Sequence, residues 1–328
     1  MKRMRQFLIA LVVVWTAACI AAYLYSSQQN IPPSLAAALL PAFLLEIALY
    51  LAPGFQAARR WFERLGSTSV RAGLLTAGAA IPYVLATIDI GDFNFPKLCL
   101  LLALAGVASF WYAVLKKSAL ADLAFLLFMA AVYMSRVFGW IYPHATPRLP
   151  LDILGHVMWI RVGIMSILSI RGFENIKFGF LPSRNDWRTG VQSYLFFLPI
   201  AAIAGYALNY LHFHALAVAW WKYTALAVLT FAGMLWVVAA GEEFFFRGFL
   251  QQTLAKRLHS DIAGLIVASL LFGLAHLPFR SFPNWPMVAL TSILGLFCGL
   301  AVMRARSIRA AMVTHALAAT TFRLFFTT

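Results

Sequence analysis

Residues 223–250 read YTALAVLTFAGMLWVVAAGEEFFFRGFL. Up to Gly241 the stretch carries no acidic or basic side chain, and about 20 apolar residues in helical conformation cross the hydrocarbon core of a bilayer. At its far end stand two adjacent carboxylates, Glu242 and Glu243, then three phenylalanines and Arg247. The run is long for one span, so it is either a single tilted helix that continues past the hydrocarbon or two segments broken near Gly241. In both forms it places ionisable groups where lipid penalises them unless they are paired or hydrated.

The rest of the chain has the same character. Of its 328 residues 62% are hydrophobic and 11% charged, against roughly 25% charged residues in a soluble domain. That balance excludes a water-soluble globule. Apolar runs place spans at 6–25, 34–53, 72–88, 98–115, 119–141, 152–170, 190–210, 223–250, 262–278, 287–303 and 310–326. The expected fold class is all-α, a polytopic transmembrane helix bundle of about 10–11 spans.

The formal net charge of +15 has two readings, nucleic acid as a partner or cytoplasmic loops rich in Lys and Arg. Position separates them. With the N-terminus inside, the inner segments hold Lys2, Arg3, Arg5, Arg59, Arg60, Arg64, Arg71, Lys116, Lys117, Arg171, Lys177, Arg184, Arg188, Arg247, Lys256, Arg257, Arg304, Arg306 and Arg309. The outer loops hold only Lys97, Arg148, Lys222 and Arg280. The asymmetry accounts for the charge through topology and anionic lipid, without nucleic acid. It gives an integral multi-pass protein with a cytoplasmic N-terminus, expected in a bacterial inner membrane, and the basic, apolar N-terminal segment reads as an uncleaved signal anchor. Cys19, Cys99 and Cys298 all fall in spans, an odd count without paired spacing that argues against a disulfide framework or a zinc cluster.

Among the intramembrane ionisable groups, Glu46, Arg136, His156 and Arg161 are scattered singletons, read as interhelical partners or snorkelling side chains. The second half is different. Glu243 and Arg247 stand four apart with the acid N-terminal, the favoured orientation for a helical ion pair, whereas Glu242 is five from Arg247 and is left to face the bundle interior, placed for proton transfer. Phe272 lies one turn before His276 and can pack beside its imidazole, and Pro278 marks the end of that helix. His315 lies in the first turns of the last span. Two acids and two histidines on three spans can activate water and stabilise an oxyanion, the equipment for amide hydrolysis. Two His and one Glu can also hold zinc, but no HExxH helix is present, so no cofactor is expected and a divalent metal is the less favoured form.

The ordered set Glu242-Glu243-x-x-x-Arg247, Phe272-x-x-x-His276 and a late-helix histidine resembles the signature of the CPBP family of intramembrane proteases, which includes CAAX prenyl proteases and bacteriocin-processing or immunity-type (Abi) proteins. The resemblance covers roughly residues 220–325. It implies a glutamate-type intramembrane endopeptidase without a metal, in which Glu242 and His276 activate water, His315 helps hold the oxyanion, and Glu243, Arg247 and Phe272 are supporting residues. Residues 1–175 would then be an N-terminal extension of about six helices and 176–328 the protease core. The implied partner is a membrane-embedded or lipidated peptide or protein substrate in the bilayer, and the oligomeric state is open.

One position departs from the family pattern. Asn or Asp normally stands four residues after the late histidine, and here that residue is Ala319. Losing one oxyanion donor costs about 10²- to 10³-fold in rate, and neither Thr314 nor Thr320 occupies the equivalent face. An inactive scaffold or immunity-type protein is therefore the rival reading, with a transporter third. Depth raises a further difficulty. At 1.5 Å per residue, Glu242 lies about 27 Å from the outer end of its span, while His315 and His276 lie about 8 Å and 21 Å from the inner ends of theirs. A tilt or a shifted boundary is needed to bring the three together. Finally, Gly295-x-x-x-Gly299 allows close helix approach, expected inside the bundle next to these helices or at a homodimer contact.

Overall fold

In the computed structural model, residues 2–173, 176–214 and 219–327 are described, the side chains of residues 2 and 3 excepted. The chain is all-α and divides into two compact units, Met1–Phe173 and Glu174–Thr328. The first contains α1 (Lys2–Gln28), α2 (Pro33–Leu51), α3 (Gln56–Glu63), α4 (Thr68–Ile88), α5 (Phe95–Val114), α6 (Ala119–Met134), α7 (Val137–Ile141) and α8 (Asp152–Ile170). The second contains α9 (Arg184–Ala207), α10 (Trp220–Leu258), α11 (Asp261–Leu274), α12 (Trp285–Ala305) and α13 (Ile308–Phe325). Strand content is confined to two short antiparallel pairings, His144–Thr146 with Leu149–Pro150 and His212–Phe213 with Phe326–Thr327.

Among the described residues, eight helices are long and apolar enough to cross a membrane. Three of the expected spans fall outside that set. The run 119–141 is divided between α6 and α7, and α11 is the other shorter apolar helix. At 1.5 Å per residue, α6 is about 24 Å long and α11 about 21 Å, less than the roughly 30 Å of a bilayer core. The third, 310–326, corresponds to α13, which is shorter than a typical span and carries Arg309 and Arg323 near its ends.

The first unit shows why its charges are tolerated. Singletons in sequence, Glu46 and Arg161 meet in space: the Arg161 guanidinium donates to both Glu46 carboxylate oxygens at 2.9 and 3.1 Å and to the Gly78 carbonyl at 3.2 Å. That bond set ties α8 to α2 and α4. Asp122 and Arg171 make a second two-point pair at 2.7 and 3.0 Å. His156 bonds the Asp152 carbonyl one turn back and packs between Tyr133 and Phe138.

In the second unit four of the five helices start on a side-chain cap, and α10, which follows Ala219, does not. Ser183 and Asp186 form a reciprocal capping box on α9, and Ser260, Asn284 and Ser307 accept backbone N–H groups at the starts of α11, α12 and α13. No break occurs at Gly241. The 223–250 run lies inside one continuous 39-residue helix, α10. Two π-helical segments, Met234–Val238 and Phe244–Leu250, interrupt its α geometry instead and flank the acid pair. Each π segment admits an extra residue per turn and so rotates the side chains that follow.

The Gly295 and Gly299 positions are occupied from within the unit. A Cβ on Gly295 would lie 3.0 Å from both Arg247 Nη2 and the Ser269 Cα, and one on Gly299 would lie 2.7 Å from Gln251 Oε1. Close approach here brings α12 against α10 and α11. We expect Gly295→Val to lower stability by about 1–3 kcal/mol through overpacking, measured as thermal unfolding in detergent. Gly233→Ala, at a helical glycine with nothing within 4 Å of the added Cβ, should leave stability unchanged or slightly raised.

Candidate active site

The site is assembled on α10, α11 and α13, with α12 packed behind it. Glu243 is fully buried and bridges two helices. Its Oε1 accepts from His315 Nδ1 at 2.7 Å, and its Oε2 lies 3.3 Å from Arg247 Nε one turn along α10. Because a carboxylate only accepts, Nδ1 of His315 carries the proton and Nε2 is the free ring position. That Nε2 lies 3.9 Å from Glu242 Oε2.

The Arg247 guanidinium is buried, and its terminal nitrogens have no hydrogen-bond partner among the described residues. Its charge is met by Glu243 and by the ring of Phe272, whose centroid lies 4.0 Å from the guanidinium carbon. A cation this desolvated gains about 2 kcal/mol or more from an aromatic face. Phe272 is the hub of the packing. The same ring meets Phe246 at 5.0 Å, His276 at 4.8 Å and His315 at 5.9 Å, all edge to face.

His276 is the half-buried member. Its Nδ1 lies 2.9 Å from the Phe272 carbonyl, an acceptor, so Nδ1 holds the proton in the neutral ring and Nε2 presents its lone pair. Among the described residues no ion pair joins His276 to Glu242 or Glu243. It reaches the cluster through the Phe272 ring.

Two expectations change. The acid facing the packed interior is Glu243, with Glu242 retaining 34% of its side-chain exposure. Neighbouring residues on a helix diverge by about 100°, and Glu243 takes both Arg247 and Nδ1 of His315, while Glu242 stands off the Nε2 edge of the same ring at 3.9 Å. The depth mismatch also disappears, because α10 ends at Leu258 rather than 250. At 1.5 Å per residue Phe246 then lies about 18 Å from the Leu258 end and Phe272 about 17 Å from the Asp261 end of the antiparallel helix, and the two rings touch. His315 meets them because α13 begins deep, with Ile308 beside Gly248.

Sequence spacing did not point to Cys298, whose thiol lies beside Glu243 and 3.7 Å from the Ala311 carbonyl. A lone cysteine in an apolar helix carries no signal of such a neighbour. Thr314 is spent on the Gly190 and Ala310 carbonyls, at 3.0 and 3.1 Å. Thr320, next to Ala319, is buried, and its hydroxyl has no hydrogen-bond partner among the described residues. Among the described residues no group of three or more His, Cys, Asp or Glu side chains has the arrangement to hold a metal ion.

Residues 224–321 match the family model described as type II CAAX prenyl endopeptidase Rce1-like. The match runs from α10 into α13 and so contains every residue of the cluster. It is consistent with a membrane protease of the CPBP family and, at the level of the family, with a CAAX-type intramembrane protease. Together with the eight apolar helices it makes the chain an integral multi-pass membrane protein. No curated protein and no solved structure matches the chain.

Removing one partner of a buried ion pair costs about 3–5 kcal/mol, because the other charge is left uncompensated. Glu243→Gln should therefore lower unfolding stability by that order. Glu242→Gln, at the half-buried acid outside the Arg247 pair, should change it by no more than about 1 kcal/mol. Equal losses would show that the two acids share one structural role.

Proposed function

We propose that this protein is an intramembrane endopeptidase that hydrolyses a peptide bond in a membrane-associated protein or peptide. The observation that carries the reading is the division of the acid pair: one carboxylate fully buried against Arg247 and His315, the other half-buried with Oε2 3.9 Å from His315 Nε2 and without a hydrogen-bond partner among the described residues. An accessible acid beside an oriented imidazole is arranged for chemistry, and a buried acid for holding it in place.

In this reading Glu242 and the Nε2 lone pair of His276 take a proton from water as its oxygen attacks the scissile carbonyl carbon. The carbonyl electrons move onto oxygen. His315, anchored through Nδ1 by Glu243, donates from Nε2 to that oxyanion in its doubly protonated form. Collapse of the intermediate breaks the C–N bond, and the proton held by Glu242 or His276 passes to the departing amine. Arg247 and Phe272 position the acid and the histidines. The chemistry needs no metal. The substrate is a lipidated or membrane-embedded chain, and the basic asymmetry supports a cytoplasmic N-terminus in a bacterial inner membrane.

Ala319 favours a second reading, an inactive scaffold or immunity-type protein that keeps the same helices. The two readings separate in one experiment. Protein termini in membranes containing wild type are compared with those containing Glu242→Ala or His276→Ala at equal abundance. The protease loses its product termini in both variants; a scaffold leaves termini and phenotype as in wild type. On a product identified in this way, a chelator should leave the rate unchanged, and Ala319→Asn should raise it by up to about 10²-fold if an oxyanion donor is what the chain lacks.

A further inference from the structure

α11 ends at Leu274, so His276 stands beyond the helix and the turn 275–284 has to place it. Inside the turn its backbone N–H donates to the Gly273 carbonyl at 2.9 Å, and its carbonyl accepts from the Phe279 N–H at 3.0 Å. Such local bonds shape a turn without fixing it against the helices around it.

One side chain supplies the rest. Asn284 is 3% exposed, and its amide joins three elements. Nδ2 donates to the Phe279 carbonyl at 2.8 Å and to the Tyr210 hydroxyl at 2.9 Å, while Oδ1 accepts from the Met287 N–H at 3.1 Å and caps α12. The backbone N–H of the same residue closes the turn on the Leu277 carbonyl at 2.9 Å. With both amide hydrogens on acceptors and the oxygen on a donor, the orientation of the amide is determined. Tyr210 stands just past α9, its own N–H on the Gly205 carbonyl at 2.9 Å. The other histidine is braced by the same helix: Thr314, the neighbour of His315, donates to the Gly190 carbonyl of α9 at 3.0 Å. Through Asn284 on one side and Thr314 on the other, α9 holds both histidine-bearing segments.

We propose that Asn284 is a positioning residue for His276, a role that rests on the reading of His276 as a group that activates water. It locks the turn against Tyr210 and so against α9, and the imidazole is held in one orientation before substrate arrives.

The test is solid-state 15N NMR of the full, histidine-labelled chain in lipid bilayers, with the His276 signal identified by its absence in His276→Gln. Asn284→Ser keeps a side-chain oxygen for the α12 cap and loses both Nδ2 bonds. In this variant the neutral His276 ring should pass from a single Nδ1–H tautomer to a mixture with Nε2–H, while the His315 signal stays as in wild type. Tyr210→Phe removes one of the two acceptors and touches no backbone bond, so a smaller change in the same direction is expected. Ser118→Ala, which takes the cap from α6 in the other unit, should lower stability and leave His276 as it is. On a product identified from membrane-protein termini, Asn284→Ser should lower kcat by about 10- to 10²-fold with KM little changed. The proposal is overturned if the His276 signal in Asn284→Ser, or in Tyr210→Phe where the serine variant does not accumulate, is that of wild type. It is equally overturned if Ser118→Ala shifts that signal as far. An altered His276 signal with unchanged turnover would keep the positioning role and reject His276 as a group that activates water.

Discussion

A single carboxylate, that of Glu243, has to satisfy a guanidinium on its own helix and an imidazole on another, away from water. Each partner alone would leave a buried charge or dipole unmet, at a cost of several kcal/mol. Together they fix the rotation of α10 relative to α13, because Arg247 and His315 must both lie on the Glu243 side. Glu242 is thereby left out of the Arg247 pair, half-buried at the other edge of the His315 ring. The asymmetry between two chemically identical neighbours is thus a consequence of packing, and the proposed catalytic roles follow from it.

The same constraint explains the aromatic density. Arg247 has few hydrogen-bonding partners, so Phe272 meets its open face with π density, and the two imidazoles pack against the same ring. Glycines on α12 make room for this arrangement: a side chain at Gly295 would press on the guanidinium itself. The π-helical segments either side of Glu242 and Glu243 let one long helix change the direction of its side chains without a break.

Local features of this arrangement were legible in the sequence and distant ones were not. The Glu243–Arg247 pair is a four-residue spacing within α10; Phe272 and His276 are also four apart, but α11 ends at Leu274 rather than at the expected Pro278, and His276 stands in the turn that follows. The apolar runs likewise place most helices. By contrast, the partner of Glu46 lies 115 residues away and that of Glu243 72 residues away. No periodicity links such pairs, which only tertiary packing brings together. The pairing of Glu243 with Arg247 follows from spacing, but the i, i+5 spacing from Arg247 says which side Glu242 avoids, not how deeply either acid is packed. Helix ends differ from the apolar runs where polar residues continue a helix past them, as Gln251–Leu258 does in α10.

Solid-state 15N NMR of histidine-labelled protein in lipid bilayers tests the central claim, that Glu243 holds His315, most directly. The account predicts a strongly hydrogen-bonded Nδ1–H for His315 that shifts in Glu243→Gln, while the His276 Nδ1–H tautomer, held by the Phe272 carbonyl, persists. A His315 signal that is the same in wild type and Glu243→Gln would contradict it.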